Sequence, residues 1–211
     1  MAPMAHAQLL LSGKVTGQFT GAPGPHDTIY NAPDGSSAWI KSGIPEHPWD
    51  KQTAIQFGQK NFTNIGPGLV ASDLFKVTNG RTLLHSTATA AHFDLSLTLT
   101  SPVSHSSLLS SIAFTIENTP NGPDPHSVDD NYTITASPIA PFKIDNTWVQ
   151  FKFVAPASFS IHENQSMYVG DLYVSFVPVP EPATYGMIGA ALLTGLIGFR
   201  ALRRRSTSAT A

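Results

Sequence analysis

The sequence predicts an all-β fold, an antiparallel β-sandwich or jelly roll, followed by a single C-terminal transmembrane helix. Three observations carry this. Between Gln8 and Val177, segment after segment alternates apolar with polar residues, the period of a half-buried strand. Gly (16) and Pro (17) are frequent among 211 residues and interrupt helices, which argues against a helical bundle. Residues 183–199 (ATYGMIGAALLTGLIGF) carry no charge and run straight into basic residues.

The elements follow in chain order. At the N-terminus, Ala5-His6-Ala7 before Gln8 fits a small-residue cleavage site, without the charged and apolar regions that precede one. Residues 1–7 therefore read either as the remnant of a signal peptide or as a chance Ala-rich start. Residues 8–177 read as one extracytoplasmic β-sandwich domain. Its first strand spans residues 8–19. Residues 21–50 then read as a long loop rich in Pro, Gly and Ser, holding Trp39 and Trp49; loops of that length are usually functional or mobile. Weaker strand signals occur at residues 38–41, 53–57, 74–78 and 158–161.

The strong signals are the alternations Phe93-Leu95-Leu97-Leu99, Ile112-Phe114-Ile116, Tyr132-Ile134 and Leu172-Val174-Phe176, with a further strand at residues 148–153. Trp148 opens that last strand like a core residue. Turn signals such as Asn79-Gly80, Asn121-Gly122 and Asp145-Asn146 separate the runs. Nine or ten short strands with such turns fit a two-sheet sandwich.

The chain ends in a tail, residues 178–211. Pro178-Val-Pro-Glu-Pro182 is stiff and extended. The apolar helix 183–199 follows, about 25 Å long at 1.5 Å per residue, the short end of a membrane span. Its glycines are better tolerated in a membrane than in a soluble helix. Arg200, Arg203, Arg204 and Arg205 place the C-terminus in the cytoplasm by the positive-inside rule, so the bulk of the chain lies outside.

Pro180-Glu181-Pro182-Ala183, then the apolar run, then the arginine cluster, resembles a PEP-CTERM sorting signal, with the match confined to residues 179–205. The resemblance implies recognition by an exosortase in the inner membrane of a Gram-negative bacterium, through Pro180, Glu181, Pro182, Arg203, Arg204 and Arg205. It also implies cutting or anchoring near the motif and delivery to the cell surface or exopolysaccharide matrix. In the body, residues 73–82, 93–100 and 114–121, with Asp129 and Asp130, resemble the choice-of-anchor K domain, an extracellular bacterial module often placed before exchangeable sorting tails. That family brings no catalytic residue with it.

Composition excludes other classes. The chain has no Cys, so disulfides, thiolate zinc sites and cysteine nucleophiles are absent. Residues 1–177 carry eight Lys or Arg against thirteen Asp or Glu, a net of −5, which leaves no basic footprint for nucleic acid. No G-x-S-x-G or H-E-x-x-H motif occurs, and the eight histidines are scattered. The one acidic cluster, Asp124, Asp129 and Asp130, reads first as a solvated turn whose carboxylates cap the chain reversal, and otherwise as oxygen ligands for calcium. Trp39 and Trp49 are the candidate glycan contacts. These readings lead to an exported, non-enzymatic envelope or matrix protein with a structural, adhesive or glycan-binding role. Its partners are the exosortase, the membrane and extracellular polysaccharide; no cofactor is expected beyond calcium. The competing reading is a secreted hydrolase acting on polysaccharide.

Overall fold

A computed structural model describes residues 9–21, 23–121 and 129–178. The calcium candidate Asp124, the sorting residues Pro180, Glu181, Pro182, Arg203, Arg204 and Arg205, and the expected span 183–199 lie outside them. Among the described residues the chain is all-β, and no helix is long and apolar enough to cross a membrane.

The first sheet contains β1 (Leu11–Thr20), β5 (Lys60–Ile65), β8 (Ala90–Ser101), β9 (His105–Glu117), β10 (Asp129–Ala136) and β13 (Ser158–His162), in the order β13-β10-β9-β8-β1-β5. The second contains β2 (Asp27–Asn31), β3 (Ser37–Ser42), β4 (Thr53–Gly58), β7 (Phe75–Thr78) and β14 (Ser166–Val169), ordered β14-β7-β4-β3-β2. Every strand pair in these two sheets is antiparallel. A third sheet has the order β11-β12-β15-β6, from β6 (Gly68–Ala71), β11 (Phe142–Ile144), β12 (Thr147–Val154) and β15 (Asp171–Pro178).

The alternating positions fill the core. Phe93, Leu95, Leu97 and Leu99 on β8 are fully buried, as are Ile112 and Phe114 on β9 and Tyr132 on β10. An aromatic cluster joins the first two sheets. Phe93 lies 4.8 Å from Phe57 and 4.9 Å from Phe75 across the sheets, and Phe75 lies 5.1 Å from Phe114. Edge-to-face and tilted pairs at these separations add to the burial of large rings, so the two sheets are held face to face, as in a sandwich.

The chain divides into two compact units, one of Met1–Phe142 with Val149–Ser175, the other of Lys143–Trp148 with the chain from Phe176. In the smaller unit Ile144 is buried while Trp148 and Val177 are exposed. Trp148 therefore departs from the core role its sequence predicts. The pleat of β12 turns Val149 and Phe151 inward, which sends Trp148, Gln150 and Lys152 to the opposite side.

The long loop expected over residues 21–50 also proves more ordered than its composition implies, because it contains the hairpin β2–β3. Pro33-Asp34-Gly35 makes the turn. Gly35 adopts φ +68, which suits glycine, and its N–H donates to the Ala32 carbonyl at 2.9 Å, while Asp34 Oδ1 accepts the Ser36 N–H at 3.0 Å.

Candidate functional site

The hairpin and β4, β7 and β14 present one continuous outer face. Antiparallel register aligns Tyr30, Trp39, Gln56, Lys76 and Tyr168 as neighbours in a single row across all five strands. Two residues along each strand, the next row is Thr28, Lys41, Ala54, Thr78 and Ser166. Because side chains alternate, the intervening positions Ala38, Ile40, Ile55, Phe57, Phe75, Val77 and Val169 turn inward and are buried. The inward set fixes the register, and the register fixes which residues share the outer face.

Tyr30 and Trp39 stack across the strand pair, with ring centroids 5.6 Å apart and planes 21° from parallel. Lys41 Nζ lies over the Trp39 ring at 4.9 Å, and Lys76 Nζ over the Tyr168 ring at 5.9 Å. Both are cation–π arrangements. Tyr30 and Tyr168 stay 45% and 58% exposed, leaving large aromatic surface free for contact. Between the two aromatic groups runs a shallow groove floored by Ala54, Gln56 and Thr78, with Lys41 and Lys76 on it and Lys51 at its end. The Thr78 and Ser166 hydroxyls share a hydrogen bond at 2.8 Å. By strand spacing, Trp39 and Tyr168 stand about 14 Å apart.

A second polar constellation gathers on the connections beyond these strands. Arg81 Nε donates to Glu46 Oε2 at 2.6 Å and lies 3.7 Å from Glu163 Oε2. Asn121 Nδ2 bridges Glu46 Oε2 and the Thr82 carbonyl. Asp50 accepts from the His47 ring and backbone N–H and from Asn164 Nδ2. Glu163 is buried, and neither of its oxygens receives a hydrogen bond.

The charges respond accordingly. The Arg81 guanidinium holds Glu46 below the usual carboxylate range. Burial pushes Asp50 up, but the bonds from His47 and Asn164 outweigh it and leave it lowered. Burial raises Glu163 despite the attraction of Arg81, and burial likewise raises Asp130. Oxygen and nitrogen atoms of Glu46, His47 and Asp50 come within 4.8 Å of one another, a grouping to which Asp129 and Asp130 do not belong.

Those two calcium candidates sit at the start of β10, where adjacent residues point to opposite faces. Asp130 is buried and accepts the Thr119 N–H at 2.8 Å and its hydroxyl at 3.1 Å. Asp129 pairs with His162 Nδ1. The two carboxylates are thus engaged separately.

The glycan candidates also part company. Trp39 belongs to the five-stranded face. Trp49 lies on the β3–β4 connection, 78% exposed and stacked on His47 at 4.9 Å. The same connection supplies Lys51 and Gln52 to the groove. Lys41, Gln56, Lys76 and Tyr168 escape a reading of the sequence alone, since only cross-strand register makes them neighbours of Trp39.

No protein-family model matches this chain, and no curated protein matches it.

Proposed function

We propose that the protein is an exported, non-enzymatic component of a Gram-negative cell envelope or exopolysaccharide matrix, whose sandwich binds glycan on the outer face of the five-stranded sheet. The single observation that carries the binding role is the row Tyr30–Trp39–Gln56–Lys76–Tyr168. Aromatic rings offer an apolar surface to the C–H face of a sugar. Gln56 and the hydroxyls of Thr78 and Ser166 supply donors and acceptors for sugar hydroxyls. An open groove on a sheet face that also carries aromatic groups suits a long, thin polymer better than a small enclosed ligand. The export route rests on the Pro-Glu-Pro motif, the apolar run and the arginine cluster, which fit an exosortase substrate held briefly in the inner membrane.

The test is retention of the full chain on exopolysaccharide in affinity electrophoresis, beside the intact mass of the protein recovered from fractionated cells. The expected result is retarded migration without sugar release, and a mass lacking the segment after the Pro-Glu-Pro motif. Unretarded migration overturns the binding role. Liberated reducing ends replace it with the hydrolase. Full-length protein held in the inner membrane overturns processing and leaves an ordinary single-span anchor.

A further inference from the structure

We infer that the glycan taken by this face is an acidic polysaccharide, one bearing carboxylate groups along its backbone. The inference rests on the glycan-binding reading and goes beyond it by fixing the charge of the ligand.

The body of the protein is net acidic, at −5 over residues 1–177. The two rows of the outer face contain two lysines and no acid. Lys51 closes one end of the groove, and Lys60 stands with Lys76 and Tyr168 at another part of the face, where Asp73 is also found. Four of the eight Lys and Arg residues in the body thus gather on and around one sheet face.

Among the described residues, Lys41, Lys60 and Lys76 form no ion pair with a carboxylate. Lys51 donates to the Asn164 carbonyl at 2.9 Å, a neutral partner rather than a carboxylate. Most acidic side chains lie off the two rows, although Asp50 shares Asn164 with Lys51. Glu46, Asp50 and Glu163 surround Arg81 on the connections, and Asp129 and Asp130 are engaged on the first sheet.

Charge separation on so small a domain gives this face a positive potential against an acidic background. Lys41 and Lys76 lie two strands and one row apart, so about 12 Å separates their backbone positions. That exceeds the width of one sugar ring, so the two ammonium groups meet charges on different sugar units. A polymer with repeated carboxylates can satisfy both while a ring packs against the exposed surface of Tyr30 or Tyr168. A neutral polymer gains the stacking but leaves both lysines without a counter-charge.

The experiment is affinity electrophoresis of the full chain in detergent through gels containing polygalacturonate or alginate. The same polymers after carboxyl reduction, and dextran, serve as neutral counterparts. Three proteins are compared: the wild type, the double variant Lys41→Gln/Lys76→Gln, and Trp39→Ala. The inference expects retention by at least one of the acidic polymers, weakened when its carboxylates are reduced and falling as salt rises from about 0.05 to about 0.5 M. It expects the double lysine variant to lose about tenfold or more in affinity for the acidic polymer while melting like the wild type. Equal retention on acidic and reduced polymers, unchanged in the lysine variant but lost in Trp39→Ala, overturns the charge assignment and keeps the glycan-binding reading. Retention on no polymer overturns both.

Discussion

The side-chain amide of Asn79 donates to the Ile161 carbonyl at 2.7 Å, joining residues 82 positions apart in a fully buried setting. Asn79 follows β7 of the five-stranded sheet, and Ile161 lies on β13 of the six-stranded one. The Asn79 N–H reinforces the tie by donating to the Gln165 carbonyl at 3.0 Å. The side chain of Asn79 therefore links two sheets, while its backbone N–H steadies the turn that leads into β14, the strand that carries Tyr168. Asn79→Leu keeps the branched outline, at a larger volume, and removes the donor, leaving the Ile161 carbonyl buried without this partner. The expected loss is about 1–3 kcal/mol, read as a lower urea midpoint. An unchanged midpoint would show that the tie is dispensable.

The neighbouring Gly80 is sensitive for a different reason. A Cβ placed there would sit 2.2 Å from the Gln52 carbonyl carbon, 2.3 Å from the Thr53 nitrogen and 2.4 Å from the Lys51 oxygen. These are backbone atoms, so β4 itself would have to shift. Gly80→Ala is expected to cost about 1–3 kcal/mol or more, as overpacking does. Gly58, at the end of β4, is the contrasting case: a Cβ there would meet nothing within 4 Å, and its φ is not left-handed. Gly58→Ala is expected to stabilise by about 0.4–1 kcal/mol through the unfolded chain. Melting temperatures that move in the same direction for both variants would contradict this account.

The two tryptophans nominated as glycan contacts should separate in a binding assay. Trp39 stands in the row with Tyr30 and Gln56, whereas Trp49 stacks on His47 outside both rows. Trp39→Ala is expected to weaken retention on exopolysaccharide by about tenfold or more, a loss of about 1.4 kcal/mol. Trp49→Ala is expected to leave it within about twofold, with both variants folded by circular dichroism. The reverse ranking would move the binding surface from the sheet face to the β3–β4 connection.

The ten segments that the sequence marks as strong or weak strands are all strands, and among the described residues the five further strands share one property. β2, β5, β6, β11 and β14 each lie at an edge of a sheet. An edge strand has one neighbour and buries fewer side chains, so its apolar alternation is weak. In β5, Phe62 alone is buried, and in β14 Val169 alone. Central strands such as β8 bury alternate residues completely, and their period is plain in the sequence. Trp148 misled because its size outweighed its parity, since Val149 and Phe151 already define the inward side of β12. The candidate face was half legible. Trp39 stands out as an aromatic in the long Pro- and Gly-rich segment, but Lys76 and Tyr168 join it only through pairings between β4, β7 and β14 that no local pattern encodes.

The carboxylates around Arg81 make stability depend on pH in opposing senses. Glu46 and Asp50 are lowered in the folded protein, so what they contribute is present above their unfolded values and is lost as pH falls through the folded ones. Glu163 behaves in the opposite way. Burial without a hydrogen-bond donor raises it, so the native state holds its proton where the unfolded chain has released it. Between the ordinary glutamate value of 4.5 and the raised folded value, the native state binds more protons, and stability falls as pH rises. Glu163→Gln keeps the shape and removes the titration. The stability of the variant relative to wild type should therefore climb with pH across that window and level off above it. Urea midpoints for both proteins at intervals from pH 4 to about pH 8 read this directly, bracketing the ordinary glutamate range. A difference that stays constant over the series would mean that Glu163 titrates alike in the folded and unfolded chains, and that Arg81 compensates its charge in full.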